Sequence, residues 1–265
     1  MKINYIHRGD NLEFMRSLEE STIDLIYIDP PFFTQSTREC VFRGKKIYYH
    51  DSWKSTNSYL HFLVARVRRC HRLLKDTGVL CVHLDWRSSH IMKLWCDKIF
   101  GGDNFVNEIV WAYNGGGYSK RAYPRKHDNI LVFSKSDNYS FNIEYKEYSK
   151  GTQKIPSSNS GKRILDLERG TPVTDVWSDI RPIVGWSSEK VGYPTQKSLR
   201  LLQRLIKAFT NKGDIVADFF SGSGTTLVAA KQLGRHFIGC DISLDAISIS
   251  NKRLSSKLCF DKETV

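Results

Sequence analysis

Ile23–Phe32 reads IDLIYIDPPF, a short apolar run broken only by Asp24 that ends abruptly in an acid, two prolines and an aromatic ring. A run this short, without polar alternation, predicts a strand covered on both faces, as in a parallel sheet. Five similar runs follow at Val79–Leu84, Ile109–Tyr113, Ile130–Phe133, Ile215–Phe220 and Phe237–Cys240. Helical stripes lie between them. Leu60, Leu63, Val64, Val67 and Leu74 form one, with Ser55–Asn57 as cap and Gly78 as stop. Leu199, Leu202, Leu205, Ile206 and Phe209 form another, opened near Thr195 and closed by Asn211–Gly213. A third runs from Thr225 to Leu233 and ends at Gly234. Strand–helix alternation of this kind predicts an α/β fold with a doubly wound sheet.

The composition agrees. The 265 residues are 40% hydrophobic and 26% charged, as expected of one soluble globular domain with or without an insertion. Collagenous, coiled-coil and disordered chains are excluded. No apolar run approaches the roughly 20 residues that span a bilayer, and the N-terminus reaches charge too early for a signal-peptide core. Six scattered cysteines (Cys40, Cys70, Cys81, Cys96, Cys240, Cys259) form no C-x-x-C pair. They predict reduced core thiols of a cytoplasmic protein and imply neither disulfides nor a metal. Lys+Arg number 40 against 28 Asp+Glu, a net +12. That balance serves solubility or attracts a polyanion such as nucleic acid.

One stretch departs from the pattern. From Tyr113 to Gly170 there are 11 Lys/Arg against 6 Asp/Glu, a net +5 in 58 residues, and only one apolar run. Gly115–Gly117 and Pro156–Gly161 (PSSNSG) read as loops. The stretch reads as a basic insertion that faces an anionic ligand, or as a solvated loop with incidental charge.

The chemistry points to the end of the first run. Ligands of open α/β sheets bind beyond the carboxyl ends of the strands, where Asp29-Pro30-Pro31-Phe32 falls. Two prolines fix φ and leave stiff carbonyls without N–H donors. Asp29 and the Pro30 carbonyl can accept both hydrogens of a planar amine whose ring stacks on Phe32. Those bonds draw the amine towards pyramidal geometry and free its lone pair for attack on an electrophilic methyl. The same acceptors stabilise the positive charge that develops. A strand-terminating turn with Asp as a local cap uses the same residues, and the tetrapeptide by itself leaves both readings open.

Ile215–Phe220 leads into Ser221-Gly222-Ser223-Gly224-Thr225-Thr226 and then a helix. A glycine turn between a strand and a helix N-terminus lets a nucleotide or nucleoside approach the backbone. The loop lacks the Gly-Lys-Ser/Thr of a phosphate-binding NTPase and the third glycine of a dinucleotide fold. About twenty residues on, Asp241 ends the next run, where an acid takes ribose hydroxyls. An adenosyl ligand without a phosphate chain fits both halves.

DPPF after one strand and DFFSGSGTT after a later one resemble the amino-group DNA methyltransferases of the β arrangement, in which the catalytic half precedes the cofactor half. Gly9–Asn11, Asp24–Phe32, Tyr49–Trp53, Val82–Arg87, Phe105–Trp111, Arg125–Ile130 and Tyr193–Lys197 match further family blocks in order. The resemblance implies a Rossmann-like sheet with circularly permuted motif order and S-adenosylmethionine as cofactor. It implies that Asp218, Phe219, Ser221, Gly222, Gly224 and Thr225 surround the methionine part, that Asp241 takes the ribose, and that Asp10 lies near the adenine. Thr195, Gln196 and Lys197 would reach the amino-acid end, with Lys197 on its carboxylate. Asp29, Pro30, Pro31 and Phe32 would be catalytic. Ser198 and Asp241 depart from the Pro and Glu common in the family.

The resemblance further implies a catalytic half at 1–112, a target-recognition region at 113–179 with Arg121, Arg125 and Lys126 on DNA phosphate or base, and a cofactor half at 180–265. The substrate would be a flipped base of double-stranded DNA. Asp29 in the first catalytic position favours adenine N6. Cytosine N4, or an RNA or protein amide, are the alternatives, and a non-catalytic DNA-binding module is a third class. A homodimer is implied. His83 and Asp85, two apart on a strand, read as a structural pair.

Overall fold

The computed structural model describes residues 2–42, 45–113, 120–148 and 168–256. The strands are β1 (Tyr5–Arg8), β2 (Ile23–Ile28), β3 (Ser36–Phe42), β4 (Lys45–Asp51), β5 (Leu74–Leu84), β6 (Phe105–Ala112), β7 (His127–Ser134), β8 (Tyr145–Lys146), β9 (Thr171–Pro172), β10 (Val176–Trp177), β11 (Ile215–Asp218) and β12 (His236–Asp241). The helices are α1 (Asn11–Ser17), α2 (Thr56–Leu73), α3 (Ser89–Phe100), α4 (Leu199–Phe209), α5 (Thr225–Gln232) and α6 (Leu244–Ser255), with a short 3-10 turn at Gly102–Asn104.

Eight strands form one sheet in the order β1-β12-β11-β2-β5-β7-β6-β10. Side chains of successive strand residues face opposite sides. Ile26 and Ile28 of β2 and Leu80, Val82 and Leu84 of β5 join α1–α3 in one core layer. Leu25, Tyr27, Val79 and Cys81 join residues of α4, α5 and α6 in the other. Both faces are therefore dry, and this is what the unbroken apolar runs encode. Asp24, the polar residue in the β2 run, accepts from Lys75 Nζ at 2.8 Å and from the Ile215 backbone at 2.9 Å. Cys70, Cys81, Cys96 and Cys240 are buried free thiols.

The parallel expectation holds for β1, β12, β11, β2 and β5 and fails at one strand. Ile130–Phe133 lies in β7, which runs antiparallel to both β5 and β6. An apolar run reports burial on two faces and carries no direction, so the sequence pattern could not separate the cases. The first helical stripe also ends sooner than its spacing suggests. Ser55 caps α2 through a capping box with Ser58, but the helix stops at Leu73; Leu74 opens β5 and Gly78 lies inside that strand. α4 begins at Leu199, with Ser198 as cap, rather than near Thr195. The Gly115–Gly117 and Pro156–Gly161 loops and Cys259 lie outside the described residues, as does the Cys40 side chain.

Parallel β1, β12, β11, β2 and β5 all end at one edge of the sheet. From β2 the chain proceeds to β5 on one side, and from β11 to β12 on the other. The crevice between β2 and β11 is thus the topological switch point, where open α/β sheets bind ligands. Asp29 and the glycine loop, far apart in sequence, flank it.

Among the described residues no helix is long and apolar enough to cross a membrane.

Candidate active site

The loop after β2 is held by a residue from outside it. Asp51, at the end of β4 and almost fully buried, accepts the backbone N–H of Phe32 at 3.0 Å, Phe33 at 3.1 Å and Thr34 at 2.8 Å. It also accepts the Thr34 hydroxyl at 2.8 Å and the Trp53 indole at 2.9 Å. The Tyr59 hydroxyl donates to the Pro31 carbonyl at 2.8 Å. Phe33 (φ 61°) and Gln35 (φ 53°) are left-handed, a strained conformation that persists only where the surroundings enforce it. Asp51 and the paired amide and backbone bonds between Gln35 and Trp53 do so here.

Asp29 sits where two cavities meet. One, of about 370 Å³, is lined by Gly9, Asp10, Asp218, Phe219, the glycine loop and Asp241. The other, of about 510 Å³, is lined by Pro30, Phe32, Asp85, Trp86, Trp111, Arg125 and Asp128. Asp29, Tyr49, Thr195 and Lys197 line both. Asp29 Oδ2 accepts from Lys197 Nζ. Its Oδ1 is buried and has no hydrogen-bond partner among the described residues. A buried carboxylate oxygen without a donor is costly, and sites of this kind mark where a ligand completes the bonding.

The glycine loop is braced from behind. Gly222 (φ 48°) and Gly224 (φ 74°) are both left-handed. Ser250 Oγ of α6 donates to the Gly222 carbonyl at 2.9 Å, and Arg253 reaches the Ser223 carbonyl at 2.8 Å and Thr225 Oγ1 at 2.9 Å. Asp241 accepts the Gly222 N–H and the Ser243 N–H, each at 2.8 Å. Asp218 accepts the Phe220 N–H at 2.9 Å and the Thr226 hydroxyl at 2.5 Å. Burial outweighs these bonds and, with Asp29 and Asp241 nearby, raises the Asp218 carboxyl to about 7. Burial raises Asp241 as well. Ser221 Oγ is buried, lines this cavity and has no partner among the described residues.

Asp10 caps α1 through the N–H groups of Leu12 (2.8 Å) and Glu13 (3.0 Å), and its other oxygen accepts from Arg66 at 3.0 Å. Arg66 is buried, stacks 3.4 Å from the Phe62 ring centroid and bonds Asn11 at 2.6 Å. It was not read as a site residue. Its position on the buried stripe of α2, three residues after Leu63 and one before Val67, was the available signal.

Three assigned residues also make contacts that the sequence reading did not name. The Lys197 ammonium lies on Asp29 and 5.0 Å from the Phe32 ring centroid, because a largely buried ammonium is drawn to the nearest carboxylate. The Gln196 amide is spent on its own loop, donating to the Glu189 carbonyl at 2.7 Å and accepting the Val191 N–H at 2.8 Å; it lines the second cavity only. Phe219 is fully buried and packs on Phe14, with ring centroids 6.3 Å apart.

His83 does not pair with Asp85. It shares a hydrogen bond with the Tyr27 hydroxyl at 2.8 Å and bonds Asp128 at 3.3 Å, and Asp128 also accepts from Tyr113 at 3.1 Å. Residues two apart on a strand are separated by about 6.6 Å of rise, and the neighbouring β7 brings Asp128 closer. Asp85 accepts instead from the Arg87 backbone and guanidinium. The His83 ring lies 5.8 Å from Phe32, beneath the loop. Arg125 stacks 3.9 Å from the exposed Trp86 ring at the mouth of the second cavity. Arg121 and Lys126 line neither cavity.

A family model described as DNA methylase matches residues 23–252. The type II methyltransferase M1.MboII of Moraxella bovis is 30% identical over 264 residues, covering 95% of this chain and 96% of that protein. The DNA adenine methyltransferase YhdJ of Escherichia coli (strain K12) is 29% identical over 261 residues, covering 94% and 82%. Two solved structures share the fold. The M1.HpyAVI–SAM complex does so with a TM-score of 0.63 at 22% identity, covering 95% of this chain and 99% of that one. The PvuII DNA methyltransferase (cytosine-N4-specific) does so with a TM-score of 0.67 at 16% identity, covering 97% and 88%. With its model match over most of the chain and its acid–diproline loop set beside a glycine turn, the chain belongs to the DNA methylase family.

Proposed function

We propose that the chain transfers a methyl group from S-adenosylmethionine to the exocyclic amine of a base flipped out of double-stranded DNA, with adenine N6 as the target. The observation that carries this reading is the bare Oδ1 of Asp29 on the wall between two cavities. One cavity is sized and charged for the cofactor, the other for a base.

The cofactor cavity passes a test of fit. Its wall holds Asp10, Asp29, Asp218 and Asp241 against Arg66 and Lys197, an acidic balance suited to a ligand bearing a sulfonium and an ammonium. The orphaned Ser221 hydroxyl waits for a polar partner there. Asp218, Ser221, Gly222, Gly224 and Thr225 would hold the methionine part, Asp241 the ribose, and Asp10 with Arg66 the adenine end. Bound there, the cofactor supplies an electrophilic methyl on a sulfonium.

This chain's own residues prepare the amine. Asp29 Oδ1 and the Pro30 carbonyl accept its two hydrogens and localise its lone pair. Phe32 stacks the ring, and Asp51 keeps Phe32 in place. The developing ammonium meets a carboxylate already oriented before reaction, so little reorganisation is required. The product ammonium is acidic enough to lose its proton without a strong base.

The acid in the first catalytic position supports adenine, as does a relative named as an adenine methyltransferase that aligns along 94% of the chain. Residues 113–179, apart from β7 (His127–Ser134), which is a strand of the main sheet, are proposed as the target-recognition region, between a catalytic half at 1–112 and a cofactor half at 180–265. Arg121, Arg125 and Lys126 would contact DNA there. Single-molecule sequencing of DNA from cells expressing the chain tests the whole reading. N6-methyladenine in one sequence context is the expected result; N4-methylcytosine would transfer the activity to the other amine, and unmodified DNA would refute it.

A further inference from the structure

We infer that Lys197 and Asp29 act as one donor–acceptor pair that reads the ring edge of the flipped base and so decides which bases the site accepts. The inference rests on the amino-group reading above and deepens it.

Three observations converge on this pair. Lys197 donates to Asp29 Oδ2 and leaves Oδ1 bare. Its ammonium lies 5.0 Å from the centroid of the Phe32 ring, the platform on which the base stacks. Both residues line both cavities, and both side chains are about seven-eighths buried (13% and 14% exposed). The Lys197 backbone is also anchored, since Gln196 bonds its own loop and α4 begins two residues on.

An ammonium carries three donors and no acceptor, and Asp29 uses one of the donors. A base that lies on Phe32 with its amine on Oδ1 brings the adjoining ring atom to the lysine. In adenine and cytosine that atom is a bare nitrogen, able to accept. On the Watson–Crick edge of guanine the nitrogen beside the amine carries hydrogen, as does the ring nitrogen between the two carbonyls of thymine, so there an ammonium meets a donor and repels it. The acceptor Asp29 and the donor Lys197 together match the Watson–Crick edge that adenine and cytosine share, an amine beside a lone pair, which guanine offers only on its minor-groove edge. A hydrogen bond to the ring nitrogen withdraws density from the amine. Lys197 therefore contributes recognition, while Asp29 and Pro30 supply the activation.

The test uses a duplex carrying the site found by sequencing, with the target base replaced by its deaza analogue (1-deazaadenine for adenine, 3-deazacytosine for cytosine). That analogue keeps the amine and lacks the ring acceptor. kcat/KM is measured on both duplexes with wild-type enzyme, Lys197→Met and Lys197→Arg. A hydrogen bond from a charged donor corresponds to a preference of about 10- to 100-fold for the natural base in the wild type. The preference is lost in Lys197→Met and retained in Lys197→Arg; the ratio of ratios removes any intrinsic reactivity difference between analogues. Equal rates on both duplexes with wild type, or a preference that survives in Lys197→Met, would overturn the inference. If Lys197→Met fails to fold, Lys197→Leu takes its place in the ratio of ratios. A wild type that methylates neither duplex would sink the amino-group reading itself.

Discussion

Asp51 holds Phe32 from nineteen residues downstream, accepting its backbone N–H at 3.0 Å while also binding Phe33 and Thr34. The acid–diproline loop is consequently not a self-supporting turn. Its shape depends on a carboxylate delivered by the β3–β4 pair, whose register matches Ser36 with Asp51.

Asp51→Ala leaves three backbone donors, an indole and a hydroxyl without their acceptor. At about 1 kcal/mol for each of the five stranded donors, a loss of roughly 5 kcal/mol of stability is expected. In a domain of this size that lowers Tm by roughly 10–20 °C in a calorimetric scan. Displacement of Phe32 should cut kcat about 100-fold. An unchanged Tm with full activity would show that the loop holds itself.

Asp29→Asn keeps the shape of the side chain and removes its charge. Methyl transfer should fall by about 100- to 1000-fold, the scale of losing one preorganised electrostatic partner. Titration calorimetry should find cofactor binding changed much less, since Asp218 and Asp241 remain. A variant with wild-type turnover would contradict the role given to Asp29.

At the proposed cofactor site, Asp218 should make cofactor binding depend on pH. Its folded carboxyl is raised to about 7, above its ordinary value of 3.8, chiefly by burial. Such a group contributes stability that is complete below the unfolded value and is lost as pH rises through the folded one, so the unliganded protein loses stability from about pH 4 to pH 7 on this account. A cationic ligand prefers the ionised form. Cofactor affinity should therefore strengthen between pH 6 and pH 8, with proton release visible in buffers of different ionisation enthalpy. Asp218→Asn should flatten both profiles; a wild-type affinity flat across this range would refute the linkage.

Gly224 and Gly213 offer a controlled pair. Both are left-handed, at φ 74° and 87°. A Cβ at Gly224 would meet Ser250 Oγ at 2.6 Å and Cβ at 2.7 Å, whereas one at Gly213 would meet nothing within 4 Å. Gly213→Ala should cost only the left-handed penalty of about 1–2 kcal/mol. Gly224→Ala must also push α6 away from the glycine loop, so it should cost more and abolish cofactor binding. Equal melting shifts for the two would argue against that packing.

Unbroken apolar runs marked six strands and 3.6-residue stripes marked α2, α4 and α5, because burial on two faces or on one is written locally; α1, α3 and α6 were not marked. Asp-Pro-Pro-Phe and Gly-x-Gly were legible for the same reason, since stiff carbonyls and left-handed turns are properties of the residues themselves. The direction of β7 was not, because an antiparallel strand buried on both faces has the same composition as a parallel one. Nor were the Asp51 brace, the Arg66–Asp10 pair, the union of His83 with Asp128, or the meeting of Lys197 with Asp29 across 168 residues. Each joins groups distant along the chain, and only the packed sheet brings them within hydrogen-bonding range, where a buried charge must find its opposite.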